Sequence, residues 1–182
     1  MGKVEERLDP FAGNVSRIQA FIHLQRYRYA QKEAKGMVLD LGCGLGYGSK
    51  ILYRTHNFVV SLDISDKALS YARIKYRGPI YVRGDAQMLP FKNESFDSVV
   101  ALEIIEHVDN NAQMLKEVFR VLKRKGTLIL SAPNVAHLGN RIKRLLFRRN
   151  LIKAYAYTQK NLIISTSIRP NSLQDFLNQQ GL

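Results

Sequence analysis

The sequence predicts an α/β fold, in which a doubly wound, Rossmann-like parallel sheet forms the centre of the protein. Short apolar runs alternate with longer helical segments along the chain, as βαβ units require. The first apolar run, 37–41, leads directly into a glycine-rich turn. Aspartates stand at or just beyond the ends of three predicted strands, which is where an open parallel sheet binds its ligands.

The predicted elements suit a single domain, 1–182, that is long enough to bury most of its apolar surface. Ser65 or Asp66 should cap the helix that follows the second strand, and Asn110 or Asn111 should cap the next helix. These side chains accept hydrogen bonds from the free N–H groups at a helix start. The N-terminal part, 1–35, holds a helical segment at 15–35. Strands are predicted near 37–41, 58–63, 80–83, 96–102 and 127–131, and further helices near 46–54, 66–76, 110–123 and 171–180.

The turn after the first strand contains Gly42, Gly44 and Gly46. Without Cβ atoms the backbone can bend sharply, and a ligand can lie directly against it. The helix that follows adds free N–H groups at its start. Dinucleotide enzymes use Gly-x-Gly-x-x-Gly, whereas this loop is Gly-x-Gly-x-Gly, and Asp40 precedes its first glycine by two residues. A carboxylate there would repel a pyrophosphate but suits an ammonium group, so the loop favours S-adenosylmethionine over NAD.

Three acidic residues, Asp40, Asp63 and Asp85, each end a predicted strand or begin the loop beyond it. The carboxyl ends of parallel strands line one crevice, so we expect these side chains to converge on one ligand. Each of them alone could equally be a turn former or a helix cap. The joint pattern favours a binding site.

The chain resembles the class I S-adenosylmethionine-dependent methyltransferases from about residue 26 to residue 181. Five blocks follow in the family's order: 38–46, 58–63, 84–91, 96–108 and 115–134. A glycine loop alone would be weak evidence, but five ordered blocks are strong. The resemblance implies the strand order 3-2-1-4-5 and S-adenosylmethionine as the cofactor.

The same resemblance implies which residues bind the cofactor. Asp40 and the loop glycines would hold the methionine end, Asp63 the ribose, and Asp85 with Ala86 the adenine. Glu103 would border the position of methyl transfer. Cys43, the only cysteine, is interpreted as a small packing residue rather than a nucleophile. The full predicted cofactor-binding set is Asp40, Gly42, Cys43, Gly44, Gly46, Asp63, Ile64, Asp85, Ala86 and Glu103.

His107 is the predicted catalytic base, because an oxygen or nitrogen acceptor can need one and an imidazole titrates near neutrality. It ends the run Glu-x-x-Glu-His at 103–107, directly after the fourth strand. A helical turn would put Glu103, Glu106 and His107 on one face. The alternative is that Glu106 and His107 only cap the next helix or pair locally.

A similar Glu-x-x-Glu-His run helps to bind a divalent metal in two related groups of enzymes. These are the ubiquinone-biosynthesis O-methyltransferases and the enzymes that 2′-O-methylate small-RNA 3′ ends. The RNA enzymes use a further histidine, which has no counterpart at 162–169, and His137 comes too early to replace it. Two carboxylates and an imidazole could still hold a metal, but we predict none.

The predicted sheet apparently lacks the usual C-terminal strand hairpin, because the resembled family places it after the helix that matches 171–180. Strand five would then be an edge with unpaired backbone groups. Another chain could cover that edge, which suggests a homodimer. A local segment such as 162–167 could also cover it, or the domain could be incomplete.

Positive charge is concentrated late in the chain. No acidic residue occurs from 118 to 174, while twelve basic residues do, and the formal net charge of the whole chain is +13. The segment 140–149 is predicted to be a basic amphipathic helix within a substrate-side insertion, 135–169. It could be a solvated face, a site for an anionic substrate or nucleic acid, or a contact with a negatively charged membrane.

The predicted function is methyl transfer from S-adenosylmethionine to an oxygen or nitrogen nucleophile. Blocks at 26–30, 46–49 and 131–134 resemble methyltransferases encoded with glycan-assembly enzymes, so a small or glycan-like acceptor is favoured narrowly over RNA. The alternative from another class is a truncated, non-catalytic module that binds nucleic acid or a partner chain. A charged N-terminus and the lack of a long apolar run predict a cytoplasmic protein without a transmembrane segment.

Overall fold

The computed structural model describes residues 9–11, 15–56, 58–132, 152–158 and 161–167. The predicted helix at 171–180, the basic segment 140–149 and His137 lie outside them. The helices are α1 (Arg17–Glu33), α2 (Tyr47–Tyr53), α3 (Asp66–Lys75) and α4 (Asn111–Val121), with a 3₁₀-helix at Ile105–His107. The strands are β1 (Val38–Leu41), β2 (Val59–Asp63), β3 (Ile80–Arg83), β4 (Phe96–Leu102), β5 (Leu122–Ala132), β6 (Ile152–Thr158) and β7 (Asn161–Ser167).

Polar side chains fix the starts of three helices. Ser16 caps α1, Ser65 caps α3 by accepting from the N–H of Ala68, and Asn110 caps α4 by accepting from the N–H of Gln113. Each cap satisfies one of the donors that a helix start leaves free. The structure thereby chooses Ser65 over Asp66 and Asn110 over Asn111. None of the helices in the described part of the chain is long and apolar enough to cross a bilayer.

The predicted parallel sheet is confirmed. Strands β3, β2, β1, β4 and β5 lie side by side in that order, and each pairs in parallel with its neighbour. Leu41 pairs with Leu62, and Asp63 pairs with Arg83, so these strands end at one edge. The predicted crevice lies beyond that edge.

The prediction that the sheet lacks a C-terminal hairpin is wrong. The order continues as β5-β7-β6, which makes seven strands among the described residues. β7 pairs antiparallel with β5: Thr127 lies opposite Ser167 at one end of the ladder, and Ala132 lies opposite Leu162 at the other. β6 pairs antiparallel with β7. The local segment 162–167 therefore covers strand five, as one of the three alternatives stated. The exposed edge that suggested a homodimer does not exist.

The sequence predicts no hairpin at 152–167, for two reasons. The basic residues within 135–169 favour a substrate-side insertion there, and the resembled family places its hairpin after the final helix. The segment 152–167 is nonetheless rich in isoleucine, tyrosine and threonine, which favour strands. The same segment thus contributes two strands to the sheet.

Two apolar cores lie on the two faces of the sheet. One joins α4 to β1, β4 and β5, through residues such as Leu39, Val118 and Leu128. The other joins α1 and α2 to the opposite face, through residues such as Tyr27 and Leu52. α4 therefore covers one face, and α1 and α2 cover the other.

Candidate cofactor site

The glycine loop folds tightly between β1 and α2. Gly42, Gly44 and Gly46 have φ angles of 74°, 53° and 85°, a region that side chains with a Cβ adopt only at a cost. The N–H groups of Gly42 and Cys43 both donate to the carbonyl of Leu62, at 2.8 and 3.0 Å. The loop is thus held against the end of β2, with Gly46 as the cap of α2.

Alanine substitutions should separate the roles of two of these glycines. A Cβ on Gly46 would lie 2.6 Å from the Cβ of Ala72, whereas a Cβ on Gly44 would meet nothing within 4 Å. We expect Gly46→Ala to lower the free energy of unfolding by about 3 kcal/mol or more, and Gly44→Ala by about 1–2 kcal/mol, since both pay for positive φ and only the first also overlaps a neighbour. Chemical denaturation measures both values. Equal losses would show that the overlap does not matter.

Asp63, at the end of β2, holds the loop from the other side. Its two carboxylate oxygens accept hydrogen bonds from the N–H of Gly44 and the N–H of Ser65, each at 2.9 Å. The residue is 6% exposed. It therefore fixes the glycine loop and the start of α3 while one side of it borders the cavity described below.

Asp40 occupies a different place from the one predicted. It is fully buried, and its carboxylate accepts hydrogen bonds from Ser49 Oγ at 2.6 Å and from the Tyr27 hydroxyl at 3.2 Å. Burial raises its pKa to about 7, with a further contribution from the charge of Asp63 and with the two hydrogen bonds opposing the rise. Asp40 thus ties α1 and α2 to β1 from beneath the loop.

The segment after β3 forms a compact turn. The Asp85 carboxylate accepts from the N–H of Gln87 at 2.8 Å, and the Asp85 carbonyl accepts from the N–H of Met88 at 3.0 Å. The side chain of Asp85 therefore shapes its own turn, as the alternative interpretation held for such residues. Asp85 and Ala86 still border the cavity.

Glu103 follows β4 in a left-handed conformation, with φ of 55°. Its carboxylate forms an ion pair with the guanidinium of Arg26, 3.1 Å away, and accepts a hydrogen bond from Ser131 Oγ at 2.7 Å. Ser131 also accepts from the N–H of Glu103 at 3.0 Å. These contacts join α1, β4 and β5 and can offset the backbone strain at Glu103.

A cavity of about 490 Å³ opens between these elements. Its size is typical of a site for a cofactor or a drug-sized molecule. Of the predicted site residues, Asp40 and Gly46 do not line it: Asp40 is buried beneath the loop, and Gly46 caps α2 and faces Ala72. The predicted residues that do line it are Gly42, Cys43, Gly44, Asp63, Ile64, Asp85, Ala86, Glu103 and His107.

Helix α1 supplies wall residues that sequence reasoning missed. His23, Arg26 and Tyr27 line the cavity, as does Tyr47 from α2. Tyr47 and His23 contact each other, with 3.2 Å between the hydroxyl and Nδ1, and burial followed by the charge of Arg26 lowers the pKa of His23. Helical spacing places residues 23, 26, 27 and 30 on one side of α1, and this spacing was the sequence signal that they share one environment.

His107 lies at the end of the 3₁₀-helix and is exposed at the cavity wall. Its N–H donates to the carbonyl of Ile104 at 2.9 Å. Glu103 and His107 line the cavity, whereas Glu106 does not. Within the described ranges, no group of three or more His, Cys, Asp or Glu side chains is placed to hold a metal ion.

Comparison with known proteins identifies a family for this chain. The methyltransferase domain family matches residues 39–130, which is half of the chain. A Mycolicibacterium smegmatis protein, described as a probable S-adenosylmethionine-dependent methyltransferase, is 35% identical over 107 residues, covering 59% of this chain and 42% of its own. The demethylmenaquinone methyltransferase of Thermotoga maritima is 34% identical over 110 residues, covering 58% and 48%. The chain thus spans less than half the length of these relatives.

The fold has solved counterparts at low identity. The N-methyltransferase NodS of Bradyrhizobium japonicum, solved with S-adenosylhomocysteine, superposes with a TM-score of 0.69 at 16% identity, covering 87% of this chain and 91% of its own. That likeness concerns the fold, while the family match rests on sequence. The family match at 39–130 includes the glycine loop and three of the five parallel strands in full. The chain is therefore a member of the methyltransferase domain family of class I S-adenosylmethionine-dependent methyltransferases.

Proposed function

We propose that this chain binds S-adenosylmethionine in the cavity and transfers its methyl group to an oxygen or nitrogen nucleophile. The observation that carries the proposal is the cavity itself, which the glycine loop, Asp63 and the Asp85 turn enclose at the carboxyl ends of β1 to β3. The Gly-x-Gly-x-Gly spacing of the loop differs from the Gly-x-Gly-x-x-Gly of dinucleotide sites, which disfavours NAD. S-adenosylmethionine, when bound, supplies a methyl group on a sulfonium that a nucleophile can displace in line.

The residues present fit the parts of this cofactor. The carboxylate of Asp63 would accept from the ribose hydroxyls, and Ile64 and Ala86 offer apolar contact to the adenine beside the Asp85 turn. Elsewhere on the cavity wall, Arg26 and Glu103 present one positive and one negative group. An amino-acid moiety carries the complementary pair, so Arg26 would hold its carboxylate and Glu103 its ammonium group. In this proposal Arg26 and Glu103 bind the methionine end of the cofactor, in place of the contact predicted for Asp40.

Two imidazoles border the part of the cavity nearest Glu103. His107 remains the proposed base, because it is exposed at the wall where an acceptor would enter. His23 also borders the cavity, but burial lowers its pKa and makes it a weaker base, so the one proton released on methylation is assigned to His107. Positioning within the cavity would supply much of the remaining acceleration.

Substitution of Arg26 tests the amino-acid subsite. We expect Arg26→Gln to weaken binding of S-adenosylmethionine by about tenfold to a hundredfold, the value of a charge-assisted hydrogen bond. Decarboxylated S-adenosylmethionine should bind both proteins alike, since it has no carboxylate for Arg26. Arg28→Gln is the matched control, because Arg28 is exposed and lies outside the cavity. Equal losses for both ligands would assign Arg26 a purely structural role.

The acceptor is proposed to be a small molecule or a glycan, with RNA as the alternative. Isothermal titration with S-adenosylmethionine, and with NAD as the control, tests the cofactor. Transfer of a labelled methyl group should then be measured with glycans, RNA and, because of the Thermotoga relative, a demethylmenaquinol. S-adenosylhomocysteine formed with any acceptor supports the enzyme. Tight binding of the cofactor without transfer to any of these would instead favour a non-catalytic module, and absence of binding by folded protein would refute the proposal.

A further inference from the structure

One side of α4 carries polar side chains that bond to the segment between β3 and β4. They are Asn110, which caps the helix, and Gln113, Glu117 and Arg120 within it. Their spacings of three, four and three residues place them along one side of the helix. The apolar residues of α4 belong to the core cluster that includes β1, β4 and β5. The helix thus packs on the sheet through its apolar side and holds the segment 87–93 through its polar side.

Glu117 and Arg120 fix the later part of this segment. Arg120 donates two hydrogen bonds to the Glu117 carboxylate, both at 2.7 Å. The same carboxylate accepts from the N–H of Leu89 at 2.7 Å. Arg120 also donates to the carbonyls of Leu89 and Phe91, at 2.9 and 2.7 Å. The hydrogen bond from Arg120 lowers the pKa of Glu117, so a charged pair anchors the backbone just beyond the Asp85 turn.

Gln87 connects the Asp85 turn itself to α4. Its main-chain carbonyl accepts from Nε2 of Gln113 at 3.2 Å, and its side-chain Oε1 accepts from the N–H of Asn110 at 3.1 Å. The Asn110 side chain in turn accepts from the N–H of Gln113 at 3.0 Å. These three residues close a ring of hydrogen bonds at the start of α4, and the ring fixes both the backbone and the side chain of Gln87.

The side-chain amide of Gln87 also lies against the carboxylate of Asp85. Its Nε2 is 3.3 Å from Oδ1 and 3.4 Å from Oδ2, and the N–H of Gln87 donates to Oδ1 at 2.8 Å. Oδ1 thus receives two donors, and Oδ2 receives the longest of these bonds. Each carboxylate oxygen has two lone pairs, so Oδ2 keeps the capacity to accept from a ligand. Both Asp85 and Gln87 line the cavity.

We propose that Gln87 is a positioning residue that makes the cavity selective for the 6-amino group of adenine. This inference rests on the proposed function, in which the adenine of S-adenosylmethionine lies beside the Asp85 turn. A 6-amino group donates hydrogen bonds and a carboxylate accepts them, so Asp85 is its complement. The Gln87 amide, itself held by α4, keeps that carboxylate in one orientation. Orientation before binding lowers the entropy that the contact would cost.

Affinities for two ligands distinguish this role from a merely structural one. The ligands are S-adenosylhomocysteine and its 6-deamino analogue, which carries purine in place of adenine. We expect wild-type protein to prefer S-adenosylhomocysteine by about tenfold to a hundredfold, as for a hydrogen bond to a charged group. Gln87→Met keeps the length of the side chain but not the amide, so the preference should fall to about threefold or less. Its affinity for the 6-deamino analogue should change by less than about twofold. Isothermal titration measures all of these affinities.

Two other glutamines provide the controls. Gln19→Met removes an exposed amide that bonds to Ser16 outside the cavity, so both affinities should stay at their wild-type values. Gln113→Met removes the bond from α4 to the carbonyl of Gln87. We expect it to weaken both ligands equally, because the Gln87 amide keeps its contacts with Asp85 and Asn110. Gln87→Ala replaces Gln87→Met if that variant does not fold.

Equal wild-type affinities for the two ligands would overturn the proposal without any variant. So would a Gln87→Met protein that keeps the full preference or weakens both ligands equally. A Gln113→Met protein that narrows the preference as much as Gln87→Met does would also overturn it, since loosening of the turn would then explain the effect. In each of these cases S-adenosylhomocysteine still binds, and the proposed function stands. Absence of S-adenosylhomocysteine binding by folded wild-type protein would instead refute the proposed function and this inference together.

Discussion

Replacement of Asp63 by alanine should lower the affinity for S-adenosylmethionine by about a hundredfold or more. The carboxylate holds the N–H groups of Gly44 and Ser65, and it borders the cavity where the ribose would lie. Hydrogen bonds to a charged acceptor contribute about 1.5–3 kcal/mol each, and about 1.4 kcal/mol corresponds to tenfold in affinity. Isothermal titration with S-adenosylmethionine measures the loss directly.

Two further variants test whether the loss of affinity comes from the carboxylate of Asp63. Asp66→Ala is the matched control, because Asp66 lies only three residues on, is exposed and pairs with Arg83 outside the cavity. Asp63→Asn keeps one of the two acceptor oxygens and removes the charge, so it should lose less affinity than Asp63→Ala. Wild-type affinity in Asp63→Ala would mean that the ribose lies elsewhere.

Binding of S-adenosylmethionine should strengthen by roughly tenfold as the pH rises from about 5.5 to 7, and Asp40 is the reason. Burial raises the pKa of Asp40 to about 7, so this carboxyl group is mostly protonated below that pH. The sulfonium and ammonium charges of the cofactor favour its ionised form, since Asp40 lies just beneath the cavity loop. Binding should therefore release close to one proton in the lower part of this range.

Titration in buffers of different ionisation enthalpy counts the released protons. In Asp40→Asn the count should fall to near zero, and the affinity should no longer depend on pH in this window. The upper limit of pH 7 keeps the amino group of the cofactor charged, since such groups titrate near pH 8. The contrary result is a pH dependence that persists in Asp40→Asn, which would assign it to a histidine of the cavity.

The same raised pKa predicts a change in stability. The unfolded chain loses the Asp40 proton near pH 4, whereas the folded chain keeps it until about pH 7, so the folded state binds the extra proton between these values. The contribution of Asp40 to the free energy of unfolding is therefore greatest below pH 4 and falls as the pH rises to 7. Asp40→Asn should unfold at a higher temperature than the wild type above pH 7, and at a similar temperature near pH 4.

The central sheet was predictable because its signals are local. Runs such as 58–63 are apolar and short, and the glycine loop fixes where the first strand ends and the next helix begins. The caps of α3 and α4 were also predictable, although the sequence offered two candidates for each. The hairpin of β6 and β7 was not, since its pairing with β5 joins residues thirty to forty positions apart, and no local pattern reports which strand a segment will meet.

The residues of the cofactor site likewise fall into those that the sequence predicted and those that it did not. Residues that line the cavity from strand ends, such as Gly44, Asp63 and Glu103, were identified by their position after predicted strands. His23 and Arg26 were missed, because helical spacing places them on one side of α1 but does not tell that this side covers the cavity.

The sequence by itself determined the family, through its ordered blocks, and that resemblance implied the order of the parallel strands. It also determined the loop that forms the floor of the cavity, since the loop depends on residues close together in the chain. Only the tertiary structure decided the role of Asp40. A carboxylate two residues before a glycine loop can point into the crevice or beneath it, and the packing of α1 and α2 on β1 placed it beneath, against Tyr27 and Ser49. The side-chain environment sets its pKa, its partners and its distance from the ligand, and that environment is assembled from segments that the chain brings together only by folding.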